Sequence, residues 1–193
     1  MNKLAQLRNV IATLDETLVK VLCGRAAFKV NGDLYGGLCQ PLSVNETAKL
    51  FRSASTNAGR AHVLRPLYAH SLLPALCEPG SDLDRRKCGA ADTACMNALV
   101  QRLNLSLQVA ALKLEETPDS LRKPLHSRDP EQMEQAITNH QVEAEVIAHI
   151  LEVTRGQQPS GELPQRIARL YEEWIFPLSR KIQVHDLLVR PRT

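Results

Sequence analysis

Aromatic side chains are scarce in this chain, with three Phe, three Tyr and one Trp among 193 residues. Sheets draw on aromatic and β-branched residues, whereas Leu, which occurs 29 times, is a strong helix former, so the balance points to helices. No apolar run approaches the roughly 20 residues of a membrane-crossing helix, which predicts a soluble chain with no membrane partner. Excess charge is also lacking. A formal net charge of +3 is too weak to argue for nucleic acid and leaves room for a small anionic ligand. With 44% hydrophobic residues the chain can bury a core and is not disordered. There is no Cys-x-x-Cys pair, no His at finger spacing behind a Cys, no phosphate loop and no dinucleotide fingerprint, so neither metal nor cofactor is expected. The six His residues form no visible cluster. The first residues, from Met1 to Leu4, lack the apolar stretch of a secretory signal, which leaves a cytoplasmic chain or a secreted one whose signal has been removed.

What is present is helical periodicity. Leu4, Leu7, Ile11, Leu14, Leu18, Val21 and Leu22 recur at helical spacing and predict a first helix from residue 3 to about 30. Ser43 and Glu46 have the form of a capping box, opening a helix to about Ala54. Gly59, Pro66, Pro74, Pro79 and Gly80 break the stretch 57–91 into short helices and an exposed loop. Leu99, Leu103, Val109 and Leu112 predict a long helix from about Asp92 to Glu116. Asp129 followed by Pro130 reads as N-cap and first helical residue of a helix reaching about Thr154. A last helix runs from about Pro164 to Val189, with a kink expected at Pro177. No internal repeat is visible. The expected architecture is all-α, a single helical-bundle domain over residues 1–193.

Five cysteines, Cys23, Cys39, Cys77, Cys88 and Cys95, are an odd number, so at least one is unpaired within the chain. The segment from Cys77 to Cys88 could be a disulfide-closed loop, with Cys95 as a rival partner, and such an exposed loop could serve a protein partner.

Several polar residues share helix faces. Arg102 and Lys113 are eleven apart, three turns, and project from one side of one helix. Asn139 and Glu143 lie one turn apart, as do Ser179 and Gln183, and Arg8 sits early on the first helix. Two arginines and a lysine gathered with a carboxylate and neutral hydrogen-bonding groups would suit a small dicarboxylate, since Arg grips carboxylates bidentately and Lys adds a point charge. Spacing alone does not separate these residues from ordinary surface decoration.

Four segments resemble the all-helical chorismate mutases of the eukaryotic type. Residues 7–18, with Leu7-Arg8 and Leu14-Asp15, resemble the opening helix; residues 95–113 match the central helix without a gap; residues 137–143 carry the Thr-Asn and Val-Glu motif; residues 171–190 end in the signature Leu-Leu-x-Arg. The resemblance implies conversion of chorismate to prephenate by a homodimer without a cofactor. It further implies that Arg8 and Arg102 each hold one substrate carboxylate and that Lys113 bridges a carboxylate and the enol-ether oxygen. Gln183 would donate to that same oxygen, Glu143 would accept from the substrate hydroxyl with help from the main chain near Asn139, and Ser179 would support a carboxylate. On this resemblance Lys113, Gln183, Arg102 and Glu143 would form the catalytic set.

Two departures from the family pattern matter. The position of Gln183 is often Glu, which must be protonated to donate, whereas Gln needs no proton. The stretch between Arg25 and Asp92 is short, so a full regulatory region and allosteric control are not expected. Arg25 has Gly36 eleven residues behind it instead of a lysine, so it reads as a surface or ion-paired residue. Two other readings are an isochorismate pyruvate lyase on the same scaffold and a non-catalytic, effector-like helical module that binds a partner.

Overall fold

The computed structural model describes residues 3–116, 118–157 and 161–190, and no strand occurs among them. Helix α1 (Lys3–Ala26) buries Leu18, Val19 and Leu22. It packs along α5 (Arg85–Glu116), the longest helix, which buries Leu99, Val100 and Leu103 in the same core. The two run antiparallel. At one end the Leu4 amide donates to Glu116 Oε1 over 3.2 Å, and at the other Arg25 meets Asp92 at 2.6 Å. Helix α5 begins seven residues before the expected Asp92, because Asp84 caps it: Oδ1 accepts from the Lys87 amide at 3.1 Å.

Helix α2 (Val44–Ser53) opens on the expected capping box of Ser43 and Glu46. The next segment differs from expectation. Instead of separate short helices, α3 (Asn57–Leu67) passes through a π-helical turn (Tyr68–Leu72) directly into α4 (Leu73–Leu76), with Pro66 accommodated inside α3. After α6 (Pro118–Ser127) comes a second difference: the helix expected over 130–154 is two, α7 (Pro130–Ile137) and α8 (His140–Gln157). The break falls at Thr138 and Asn139, where Asn139 Oδ1 accepts from the Val142 amide at 3.1 Å in the manner of an N-cap. The C-terminal run consists of α9 (Leu163–Leu170), a π-helical turn (Tyr171–Ile175) and α10 (Phe176–Val189). The irregularity expected at Pro177 is therefore a widened turn just before it, where the Phe176 amide reaches Tyr171 O. Proline lacks an N–H and its ring clashes with the carbonyl four residues back, and a π turn relieves both. Pro74 is preceded by the same device, with Leu73 N reaching Tyr68 O.

These repeated features belong to a larger repetition that the sequence pattern conceals. Asp15 and Arg25 lie ten residues apart on α1, Asp92 and Arg102 ten apart on α5. The pairs cross, Arg102 binding Asp15 at 2.7 Å and Arg25 binding Asp92 at 2.6 Å. Each aspartate also accepts from the tyrosine that opens a π turn: Tyr171 to Asp15 at 2.9 Å and Tyr68 to Asp92 at 2.8 Å. A local pseudo-twofold thus relates α1 to α5 through two ion pairs whose arginines are buried.

Two apolar clusters flank this frame. The larger joins α1, α3, α4, α5 and the C-terminal helices, with Trp174 packed against it and Phe176 within it. The smaller gathers Ala110, Leu121, Met133, Ile137, Val184 and Leu187. The five cysteines are free thiols, and Cys77, Cys88 and Cys95 are buried. The loop between Cys77 and Cys88 is held non-covalently. Val30 N donates to Glu78 O and Asn31 N to Gly80 O, both at 2.9 Å. Asp82 Oδ2 accepts from Lys29 N at 2.6 Å and from Asn31 Nδ2 at 3.0 Å. Asn31 adopts a left-handed backbone (φ 55°) and Gly80 a positive φ of 119°. Both residue types tolerate that region. Leu83 projects fully into solvent.

Candidate functional site

A cavity of about 310 Å³ opens where α1, α5, α8 and α10 meet the corner between α7 and α8. All seven residues expected to bind substrate line it: Arg8, Arg102, Lys113, Asn139, Glu143, Ser179 and Gln183. Each helix supplies its residues by simple geometry. Arg102 and Lys113 stand three turns apart on α5, Ser179 and Gln183 one turn apart on α10, and the break at Thr138–Asn139 brings the start of α8 over the cavity.

Arg102 is 5% exposed. Its Nε donates to Asp15 Oδ1, and among the described residues no other hydrogen bond of its guanidinium is found, so both Nη groups remain for a ligand. Asp15 is buried, and its Oδ2 has no hydrogen-bond partner among the described residues. Lys113 sits deep in the cavity. Its Nζ donates to Ile137 O at 2.5 Å and to Gln183 Oε1 at 3.0 Å. Burial, and secondarily the charge of Arg8, pulls its pKa down to about 8, with Glu143 opposing the shift. Gln183 turns its Nε2 to Ser179, 3.1 Å from the carbonyl and 3.3 Å from the hydroxyl. The Ser179 hydroxyl in turn shares a 2.8 Å hydrogen bond with buried Ser106. Across the cavity Glu143 Oε1 accepts from Arg180 Nη1 at 2.6 Å, and Arg180 Nε reaches Glu134 at 3.3 Å.

Four residues of this framework were given no role by sequence reasoning. Asp15 and Tyr171 lay inside segments that resembled the family but offered no spacing argument. Ser106 and Arg180 lay inside such segments too, residues 95–113 and 171–190, but nothing singled them out, since a serine or an arginine on a helix is ordinary. Arg25 is ion-paired, as one of its two expected readings had it, and is wholly buried, not at the surface. Its Nη1 donates to Lys29 O at 2.8 Å and its Nη2 to Val30 O at 3.1 Å. Backbone carbonyls therefore occupy the donors that Arg102 turns to the cavity. Arg190, at the end of the signature, pairs with Asp186 at 2.7 Å.

The arrangement is a partly enclosed, mainly apolar cavity lined by four cations, Arg8, Arg102, Lys113 and Arg180, with several neutral donors beside them. Such a site binds a small dianion and holds it in one conformation.

Comparison with known proteins agrees with this chemistry. Residues 84–184 match the family model for chorismate mutase type II. Against chloroplastic chorismate mutase 1 of Zea mays the chain is 25% identical over 244 aligned positions, covering 97% of this chain and 78% of that protein. Against chloroplastic chorismate mutase 3 of Arabidopsis thaliana it is 31% identical, covering 64% of this chain and 44% of that one. The chain spans about half the length of several curated relatives that it matches. Those relatives include proteins described as chloroplastic and as cytosolic. Among solved structures, the chloroplast chorismate mutase of Zea mays shares the fold with a TM-score of 0.79 at 24% identity, over 97% of this chain and 95% of that one. The Candida albicans chorismate mutase solved with L-Trp shares it with a TM-score of 0.74 at 18% identity, over 96% and 90%.

Proposed function

The chain belongs to the type II chorismate mutase family, and from that premise we propose that it is an isomerase acting as a single domain to rearrange chorismate to prephenate. The observation that carries the reading is the convergence of Arg8, Arg102 and Lys113 with Glu143, Ser179 and Gln183 on one cavity. No member of that set is a nucleophile poised against a base. Instead the set matches a pericyclic reaction, in which the protein folds a flexible dicarboxylate into its compact conformer and stabilises charge growing on the breaking ether bond.

In this reading Arg8 and the Nη groups of Arg102 hold the two carboxylates, Arg102 being braced from behind by Asp15 and Tyr171. Lys113 faces a carboxylate and the ether oxygen. Gln183 is the second donor to that oxygen, its Nε2 exchanging the 3.3 Å contact with the Ser179 hydroxyl for the substrate. Glu143 accepts from the ring hydroxyl beside the main chain of Asn139. Ser179, supported by Ser106, adds a hydroxyl to one carboxylate. No cofactor is needed for any of these steps.

The protein is further proposed to be a homodimer unresponsive to aromatic amino acids. The alignment with the Zea mays enzyme spans 244 positions against 193 residues here, so part of that enzyme has no counterpart in this sequence. Sedimentation velocity tests the dimer.

The deciding experiment follows chorismate with purified protein and no additives, beside an Arg102→Ala control. Prephenate formed by the wild type and lost in the variant supports the assignment. Preferential cleavage of isochorismate would favour a lyase, and inactivity towards both would favour a binding module.

A further inference from the structure

We propose that Arg180 is a positioning residue that holds the Glu143 carboxylate away from Lys113, so that the substrate does not have to break a Glu143–Lys113 pair. The inference rests on the mutase function proposed above and concerns a residue that does not itself touch the reacting atoms.

Three observations lead to it. Glu143 lies close enough to Lys113 to favour the lysine's charge, and both side chains line the same cavity. Nevertheless the Glu143 carboxylate is bound by Arg180 at 2.6 Å, while Lys113 Nζ donates to the neutral acceptors Ile137 O and Gln183 Oε1. Arg180 is itself anchored on its far side by Glu134 at 3.3 Å.

In a partly buried site a carboxylate and an ammonium attract strongly. A Glu143 not held elsewhere would collapse onto Lys113, and the substrate would have to break that pair before binding. It would also be withdrawn from the place where it accepts the substrate hydroxyl. Arg180 prevents both by offering Glu143 a charge-assisted bond on the opposite side. The brace is separable from the fold, because Lys181 binds Glu134 independently at 2.6 Å and keeps α10 joined to α7 when Arg180 is changed.

The test uses Arg180→Met, Arg180→Gln and Arg180→Lys, together with Glu143→Gln and the double variant. Loss of Arg180 is expected to lower kcat/KM by about tenfold or more, chiefly through KM, because a competing internal pair must be displaced. Arg180→Lys should regain most of the loss. The double variant should be no worse than Glu143→Gln alone, since without the carboxylate there is nothing for Arg180 to restrain. Additive losses with no rescue by Lys would overturn the inference and make Arg180 a direct substrate ligand. A crystal structure of Arg180→Met, or of Arg180→Gln should the Met variant not fold, decides the matter without turnover. Glu143 seated on Lys113 Nζ supports the role, and Glu143 still turned away overturns it. Wild-type protein that leaves chorismate unchanged would defeat the proposed function while leaving this structural arm to rule on the brace.

Discussion

Arg102 and Arg25 occupy equivalent places on two antiparallel helices, each bound to an aspartate of the opposite helix, at 2.7 Å and 2.6 Å respectively. Only Arg102 opens onto the cavity. Arg25 spends its Nη groups on the carbonyls of Lys29 and Val30. One arginine is thus an anion receptor and the other a structural clamp, and the difference lies in what the chain lays over the guanidinium.

This contrast makes the two substitutions separable. Arg25→Met leaves the largely enclosed Asp92, 16% exposed, without its counter-charge and should cost about 3 kcal/mol of stability, with turnover per folded molecule unchanged. Arg102→Met should destabilise similarly through Asp15, and in addition lower kcat/KM by about 10²–10³. Denaturant titration combined with kinetics on folded protein checks both. A folded but inactive Arg25→Met protein would contradict the assignment.

Lys113 sets an alkaline limit. Its pKa is pulled down to about 8 by burial, then by Arg8, so the ammonium is charged below that pH and lost above it. The value of kcat/KM, which reports the free enzyme, should therefore fall as pH rises through about 8. The limit on kcat should lie higher, because a bound dianion favours the charged lysine. A flat kcat/KM profile to pH 10 would remove Lys113 from the mechanism.

Gln183 donates at any pH, so no loss of activity between pH 6 and 8 should track a carboxylate. Gln183→Glu should create one. The new side chain donates only when protonated, so the variant should work best in acid and lose activity as pH rises through its titration. Matched pH profiles of wild type and variant measure this. Identical profiles would show that the Gln183 amide does not serve the ether oxygen.

The thiols offer a test independent of catalysis. Cys39 is exposed and Cys23 partly so, whereas Cys77, Cys88 and Cys95 are buried. Burial pushes Cys77 up to about 11 and Cys95 up to about 12, and the thiolate is the reactive form. Alkylation of native protein should mark Cys39 first, with these three protected until unfolding. Mass spectrometry without reductant should count five free thiols. A Cys77–Cys88 disulfide would instead favour a secreted protein whose loop is covalently closed.

Much of the fold was legible in the residues themselves. The capping box at Ser43 and Glu46, the apolar face of α1, the long ridge that carries Arg102 and Lys113, and the disturbance at Pro177 all follow from interactions within a few residues, which a linear pattern records. The break at Asn139 was legible in principle, since Asn is a good N-cap, but the apolar periodicity on either side masked it. The resemblance to a family chose the seven cavity residues, where spacing alone had no power to do so. Tertiary structure decided the rest. It alone determined that Arg25 is wholly buried with its Nη groups on backbone carbonyls, that Arg180 holds Glu143, and that hydrogen bonds to residues 29–31 close the Cys77–Cys88 loop. The reason is physical: these outcomes depend on pairings such as Asp15 with Arg102 and Asp15 with Tyr171, across 87 and 156 residues of chain. Each is set by how helices stack around a shared core, and no local propensity encodes it.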